Sequence, residues 1–124
     1  MMLKVQVTDG PHLTRTIALE GRLDFGSVGV LDTELDSLLE KPVKVLVFDL
    51  SKLEYISSAG LRSLFRAQKS VKAQSGKVVL LNPTPPVQKV LEIVEDSGVG
   101  DIFSIVEELD QNLDPTRKKV SEGE

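Results

Sequence analysis

From Val43 to Leu50 the chain runs Val43-Lys44-Val45-Leu46-Val47-Phe48-Asp49-Leu50, nearly continuous in apolar residues and rich in β-branched ones. A strand of that kind has almost no polar face to give to water, which predicts a place mid-sheet with both faces covered. The segments after it restrict the fold further. Ser57-Ser58-Ala59-Gly60 reads as the opening of a helix marked by Leu61, Leu64, Phe65 and Val71, and Ser75-Gly76 reads as its close. Val78-Val79-Leu80-Leu81 is a second buried strand. Strand, helix and strand make a parallel βαβ unit, whose crossover is expected to be right-handed.

The flanking segments fill out the sheet. Leu3, Val5 and Val7 alternate with Lys4, Gln6 and Thr8, the period of a strand buried on one face, which predicts an outer strand. Asp9-Gly10-Pro11-His12 is turn chemistry, and Arg15 to Glu20 reads as the returning strand of a hairpin, ended by Gly21. From Ser27 to Leu39 the residues Val28, Leu31, Leu35, Leu38 and Leu39 fall at helical spacing, with Asp32, Glu34, Asp36 and Glu40 mostly on an acidic outer face. Thr84 is placed to cap a third helix that starts at Pro85, where the missing N–H is no loss, and Val87, Val90, Leu91 and Val94 form its buried stripe. Gly98 marks a C-terminal cap, and Ile102 to Val106 reads as a last short strand. The expected architecture is one α/β domain over residues 1–110. Its mixed β-sheet has four to five strands, an N-terminal hairpin plus parallel βαβ strands, packed with three to four helices. Residues 111–124 carry too little apolar surface to pack and read as a flexible charged tail.

Composition limits the function. A chain of 124 residues with 40% hydrophobic and 27% charged content supports a single core. It has no cysteine and one histidine, His12, beside Pro11 in a turn, so thiolate metal sites, thiol nucleophiles and most acid–base triads are hard to assemble. No cofactor, metal site or enzymatic activity is expected. The net charge of −4 opposes attraction to nucleic acid phosphates. The first residues, Met1-Met2-Leu3-Lys4-Val5, lack the apolar run of a signal peptide, and no segment has the ~20 apolar residues of a membrane span, so a cytoplasmic location is expected. Asp49, at a strand end, superficially suits a phosphoaccepting receiver domain, but only Asp9 lies near the place where such a domain needs an acidic pair for Mg²⁺. A protein partner is the expected ligand.

Two motifs then carry a resemblance. The order hairpin, Gly21-Arg22-Leu23-Asp24, helix, buried strand ending Phe48-Asp49-Leu50-Ser51, then Ile56-Ser57-Ser58-Ala59-Gly60-Leu61 resembles the STAS domain of bacterial anti-sigma factor antagonists. In that family the segment before the second helix typically reads Asp-Ser-Ser/Ala-Gly-Leu, and the serine after the aspartate is phosphorylated by an anti-sigma factor that is also a serine kinase. With Gly60-Leu61 as the fixed point, the resemblance implies Ser58 as phosphoacceptor. It also implies binding to the anti-sigma factor when unphosphorylated, release of a sigma factor, and a PP2C-type phosphatase as a further partner. Ser57 stands where the family usually has Asp, which leaves Ser57 as the alternative acceptor. A chain that is never phosphorylated fits a second STAS role, the accessory subunit of a lipid-transporting ABC system. A monomer or weak dimer is expected in either case.

Elementary electrostatics supports the same position. A serine at a helix start is surrounded by free backbone N–H groups and the positive end of the helix dipole, so a phosphate is tolerated there. The alternative is that Ser57 or Ser58 is only an N-cap worth about 1 kcal/mol. Asp24, Ser57, Ser58, Ala59, Gly60, Arg62 and Arg66 are the expected partner-binding residues. Arg62, Arg66 and Lys69 lie at helical spacing, as a docking face or a merely solvated one. Asp24 is either close to the acceptor or a helix cap, and Asp49 is placed to bond the backbone of the loop before Ser57.

Overall fold

The computed structural model describes residues 3–94 and 104–106. The elements, in chain order, are β1 (Lys4–Asp9), β2 (Thr14–Leu23), α1 (Val28–Leu38), β3 (Val45–Ile56), α2 (Ser58–Lys72), β4 (Lys77–Leu81), α3 (Pro85–Val94) and β5 (Ser104–Val106). The five strands form one sheet in the order β1-β2-β3-β4-β5. β1 and β2 pair antiparallel as a hairpin, and every later neighbour pairs parallel, with α1, α2 and α3 in the successive connections. The fold is a single α/β domain with a mixed sheet, and three helices are described. Gly98, Ile102, Phe103 and the residues from 107 onward, including the segment read as a tail, lie outside the described residues.

One core lies between the sheet and the helices. Ile17, Leu19 and Leu23 of β2, Leu46, Phe48, Leu50, Leu53 and Ile56 of β3, and Val78 and Leu80 of β4 are buried against Leu31, Leu35 and Leu38 of α1, Leu64, Ala67 and Val71 of α2, and Val87 and Leu91 of α3. The central strand departs from expectation in two ways. Its alternate residues Val45, Val47 and Asp49, with Thr16, Ala18, Val79 and Leu81 beside them, are only half-buried, so among the described residues β3 is fully covered on one face and not on both. It also continues six residues past Leu50, to Ile56. The extension has a local cause. Between Ala18↔Asp49 and Glu20↔Lys52, and again between Gly21↔Leu53 and Arg22↔Tyr55, β3 carries one residue more than β2. These bulges keep Leu50, Leu53 and Ile56 all on the core side at a spacing of three, which is neither a strand nor a helix period.

β2 likewise passes through Gly21 and does not end there. Gly21 takes a φ of 107° at the second bulge, a conformation open to glycine and strained for any other residue. Ser75-Gly76 does close α2: Gly76 N–H reaches Val71 C=O at 2.9 Å and Ser75 N–H reaches Lys72 C=O at 2.9 Å, with Ser75 at a φ of 64°. α3 begins at Pro85, but the Thr84 hydroxyl does not cap it. It donates instead to the Leu53 carbonyl at 2.6 Å and ties the start of α3 to β3.

Candidate functional site

The β2–β3 ladder ends at Leu23↔Ile56, and Ser57 N–H adds one more bond to the Leu23 carbonyl at 2.9 Å. The turn after β2 and the first turn of α2 therefore leave the sheet side by side at the same end. Gly60 makes the close approach possible. A Cβ there would lie 2.7 and 2.9 Å from the Leu23 side chain and 3.0 Å from that of Ile56, both core residues. Only a hydrogen fits between α2 and the strand ends, which fixes where the helix starts.

The two candidate serines differ in what their hydroxyls do. Ser57 is half-buried in extended backbone (φ −99°, ψ 176°), and its side chain accepts from Gly60 N–H at 3.2 Å as the N-cap. Ser58 is the first helical residue, is exposed, and its hydroxyl makes no hydrogen bond among the described residues. Ala59 is half-buried beside it, and Arg62 lies one turn further along the same face, exposed and without an ion pair among the described residues.

Asp24 is a turn-former. Its carboxylate accepts from Ser27 N–H at 3.1 Å, and its own N–H donates to Ser27 Oγ at 3.0 Å. The Ser27 hydroxyl proton has the Arg22 carbonyl at 2.7 Å and Asp24 Oδ1 at 3.1 Å within reach. The hydrogen bond with the Ser27 side chain leads in holding the Asp24 carboxyl below the usual carboxylate range, against partial desolvation and with help from the Ser27 and Gly26 N–H groups and the Arg22 charge. Arg22 also lies 3.7 Å from Asp24 and stacks over the Tyr55 ring at 4.1 Å. The loop thus stands beside Ser58 as a bonded turn.

Arg66 is not a free docking cation. It donates to Asp36 at 2.9 Å and to Asp32 at 3.1 Å, and Asp32 also accepts from the Ser63 hydroxyl at 2.7 Å. Desolvation lowers the Arg66 pKa, but the bonds to Asp32 and Asp36 outweigh it and the net shift is upward. Asp32, half-buried, and Asp36, still exposed, thus reach across to α2 from the flank of α1. Sequence reading missed this link, although the signal was present: Asp32/Asp36 at i,i+4 on one helix and Ser63/Arg66 at i,i+3 on the next. Asp49 does not support the Ser57 loop. It accepts from Ser51 N–H at 3.1 Å and Ser51 Oγ at 2.8 Å, eight residues before Ser57, in a groove of the half-open face with Lys4, Gln6, Glu20 and Lys52. His12 is exposed in the hairpin turn. Among the described residues no three His, Cys, Asp or Glu side chains gather as a metal site would require. No helix of the described residues is long and apolar enough to cross a membrane.

Known proteins share this fold. A family model described as the STAS domain matches residues 3–114. A protein of Bordetella bronchiseptica named as the anti-sigma factor antagonist BtrV is 36% identical over 105 residues, 85% of either chain. The anti-sigma F factor antagonist of Lysinibacillus sphaericus is 27% identical over 70% of this chain and 73% of its own. Among solved structures, the anti-sigma factor antagonist SpoIIAA in its unphosphorylated form superposes with a TM-score of 0.72 at 23% identity, over 86% of this chain and 90% of that one. At that identity the superposition speaks for the fold.

Proposed function

The chain belongs to the STAS domain family, and from that premise we propose that it is an anti-sigma factor antagonist whose binding is switched at Ser58. In this reading the unmodified chain binds a serine-kinase-type anti-sigma factor in the cytoplasm and frees a sigma factor. Phosphorylation of Ser58 by that partner ends the binding, and a PP2C-type phosphatase restores it. The names of its relatives support the antagonist role. The observation that carries the choice of residue is the division of labour between neighbours: the Ser57 hydroxyl is engaged as the N-cap, whereas that of Ser58 is exposed and unengaged among the described residues.

The sign of the switch comes from the position. A phosphate adds about −1.5 to −2 charge, and at a helix N-terminus it stabilises the helix slightly, so loss of binding does not come from unfolding α2. It acts at the interface, where the phosphate must be desolvated or meets like charge. A penalty of about 3 kcal/mol gives roughly a hundredfold loss of affinity. Ser57, by filling the N-cap role with a neutral hydroxyl, leaves the first turn of α2 without an acidic residue.

Incubation with ATP and each serine-kinase-type anti-sigma factor of the source organism, followed by fragmentation mass spectrometry, tests the proposal. The expected result is one phosphate on Ser58, absent in Ser58→Ala, whose presence abolishes complex formation. A phosphate on Ser57 moves the site by one residue. A stable complex that never acquires phosphate overturns the switch and leaves a constitutive binding module.

A further inference from the structure

We infer that Phe25 is the apolar anchor of the partner interface, an inference that rests on the antagonist reading above. Phe25 is 85% exposed, more than any other large hydrophobic among the described residues. Leaving a phenylalanine ring in water forfeits the stabilisation its burial brings, so the fold gains nothing from this residue. Nor is the ring on a loose loop. It sits between Asp24 and Ser27, whose side chains and N–H groups bond one another and the Arg22 carbonyl at 2.7 to 3.1 Å. A ring on a bonded turn loses little conformational entropy when a partner covers it, which is the property of an interface anchor.

Its place gives the partner. Leu23 and Ile56 are the last paired residues of β2 and β3; Phe25 lies two residues past the first and Ser58 two residues past the second. The turn that carries Phe25 and the helix start that carries Ser58 therefore leave the sheet side by side, tied by the Ser57 N–H to Leu23 C=O bond, so that a protein covering Ser58 is within reach of the ring. The charges nearby define its complement further. Arg66 is taken up by Asp32 and Asp36, whereas Arg62 has no ion pair among the described residues. The fitting partner is a protein, the anti-sigma factor itself, with an apolar pocket for the ring and a carboxylate at the rim for Arg62. An anionic lipid surface suits the site poorly, because Asp24 stands next to the ring and the chain carries a net charge of −4.

Titration calorimetry of the full chain with the anti-sigma factors of the source organism, at several temperatures, tests the anchor. Phe25→Ser should weaken binding at least about thirtyfold and make the binding heat capacity less negative, while Phe25→Leu stays within about threefold. Ile93→Ser removes another exposed hydrophobic, 68% exposed near the far end of α3, and should change nothing. Phe25→Ser should melt at the temperature of the unaltered chain. If the unaltered chain binds and Phe25→Ser binds within threefold of it, the anchor is overturned and the antagonist reading stands. A lower melting temperature in Phe25→Ser also overturns it, since the ring would then serve the fold. If the unaltered chain binds none of these proteins, the antagonist reading fails and the anchor falls with it.

Discussion

At Gly60 a single hydrogen decides how α2 meets the sheet. Alanine would place its Cβ 2.7 Å from the Leu23 Cγ, and Leu23 is fully buried and has nowhere to move. Gly60→Ala should therefore cost about 1–3 kcal/mol, as overpacked core substitutions do, read as a lower urea midpoint with an unchanged slope. Asp24 answers to pH. Its carboxyl titrates lower in the folded chain than in the unfolded one, so its contribution is complete above the unfolded value of about 3.9 and is lost as pH falls through the lower folded value. The stability difference between the unaltered chain and Asp24→Asn should narrow between pH 5 and pH 3 in urea titrations. Which of Ser57 and Ser58 caps the helix could not be read from their order in the chain. Either serine can cap a helix, and only the backbone at the turn shows that the first of them does.

Among the elements, the α1–α2 pair shows how a helix can be oriented correctly while the partner at its flank is missed. The spacing of Leu31, Leu35 and Leu38 located the buried stripe of α1, and all three are buried. Periodicity orients a helix toward its core but says nothing of which neighbour lies at its flank, so it could not show that Asp32 and Asp36 bond Arg66 of α2. The two carboxylates are not equivalent. Asp36 holds only the half-exposed Arg66, whereas Asp32 also satisfies the buried hydroxyl of Ser63. Asp36→Ala should cost less than about 1 kcal/mol. Asp32→Ala should cost about 1–3 kcal/mol because it strands Ser63. Chemical denaturation of the two variants at one pH checks the order.

For the whole molecule, the helices cover one side of the sheet, and adjacent residues of β3 should report it. Leu46 is fully buried and Val47 only half-buried on the other face, so Leu46→Ala should cost about 2–5 kcal/mol and Val47→Thr less than about 1 kcal/mol, measured by urea unfolding. A strand covered on both faces would show comparable losses. The sequence by itself determined the hairpin, the parallel βαβ connectivity, the start of α2 at Ser57-Ser58 and the pair of motifs that identify the family, because these rest on local periodicity, turn chemistry and residue spacing. Tertiary structure alone decided three things: the extension of β3 to Ile56, the half-open face, and the engagement of Arg66 by α1. Each depends on which segment lies opposite. The bulges set by pairing with β2 turn a spacing of three into a buried row, and strands and helices distant in the chain supply the partners that no local window contains.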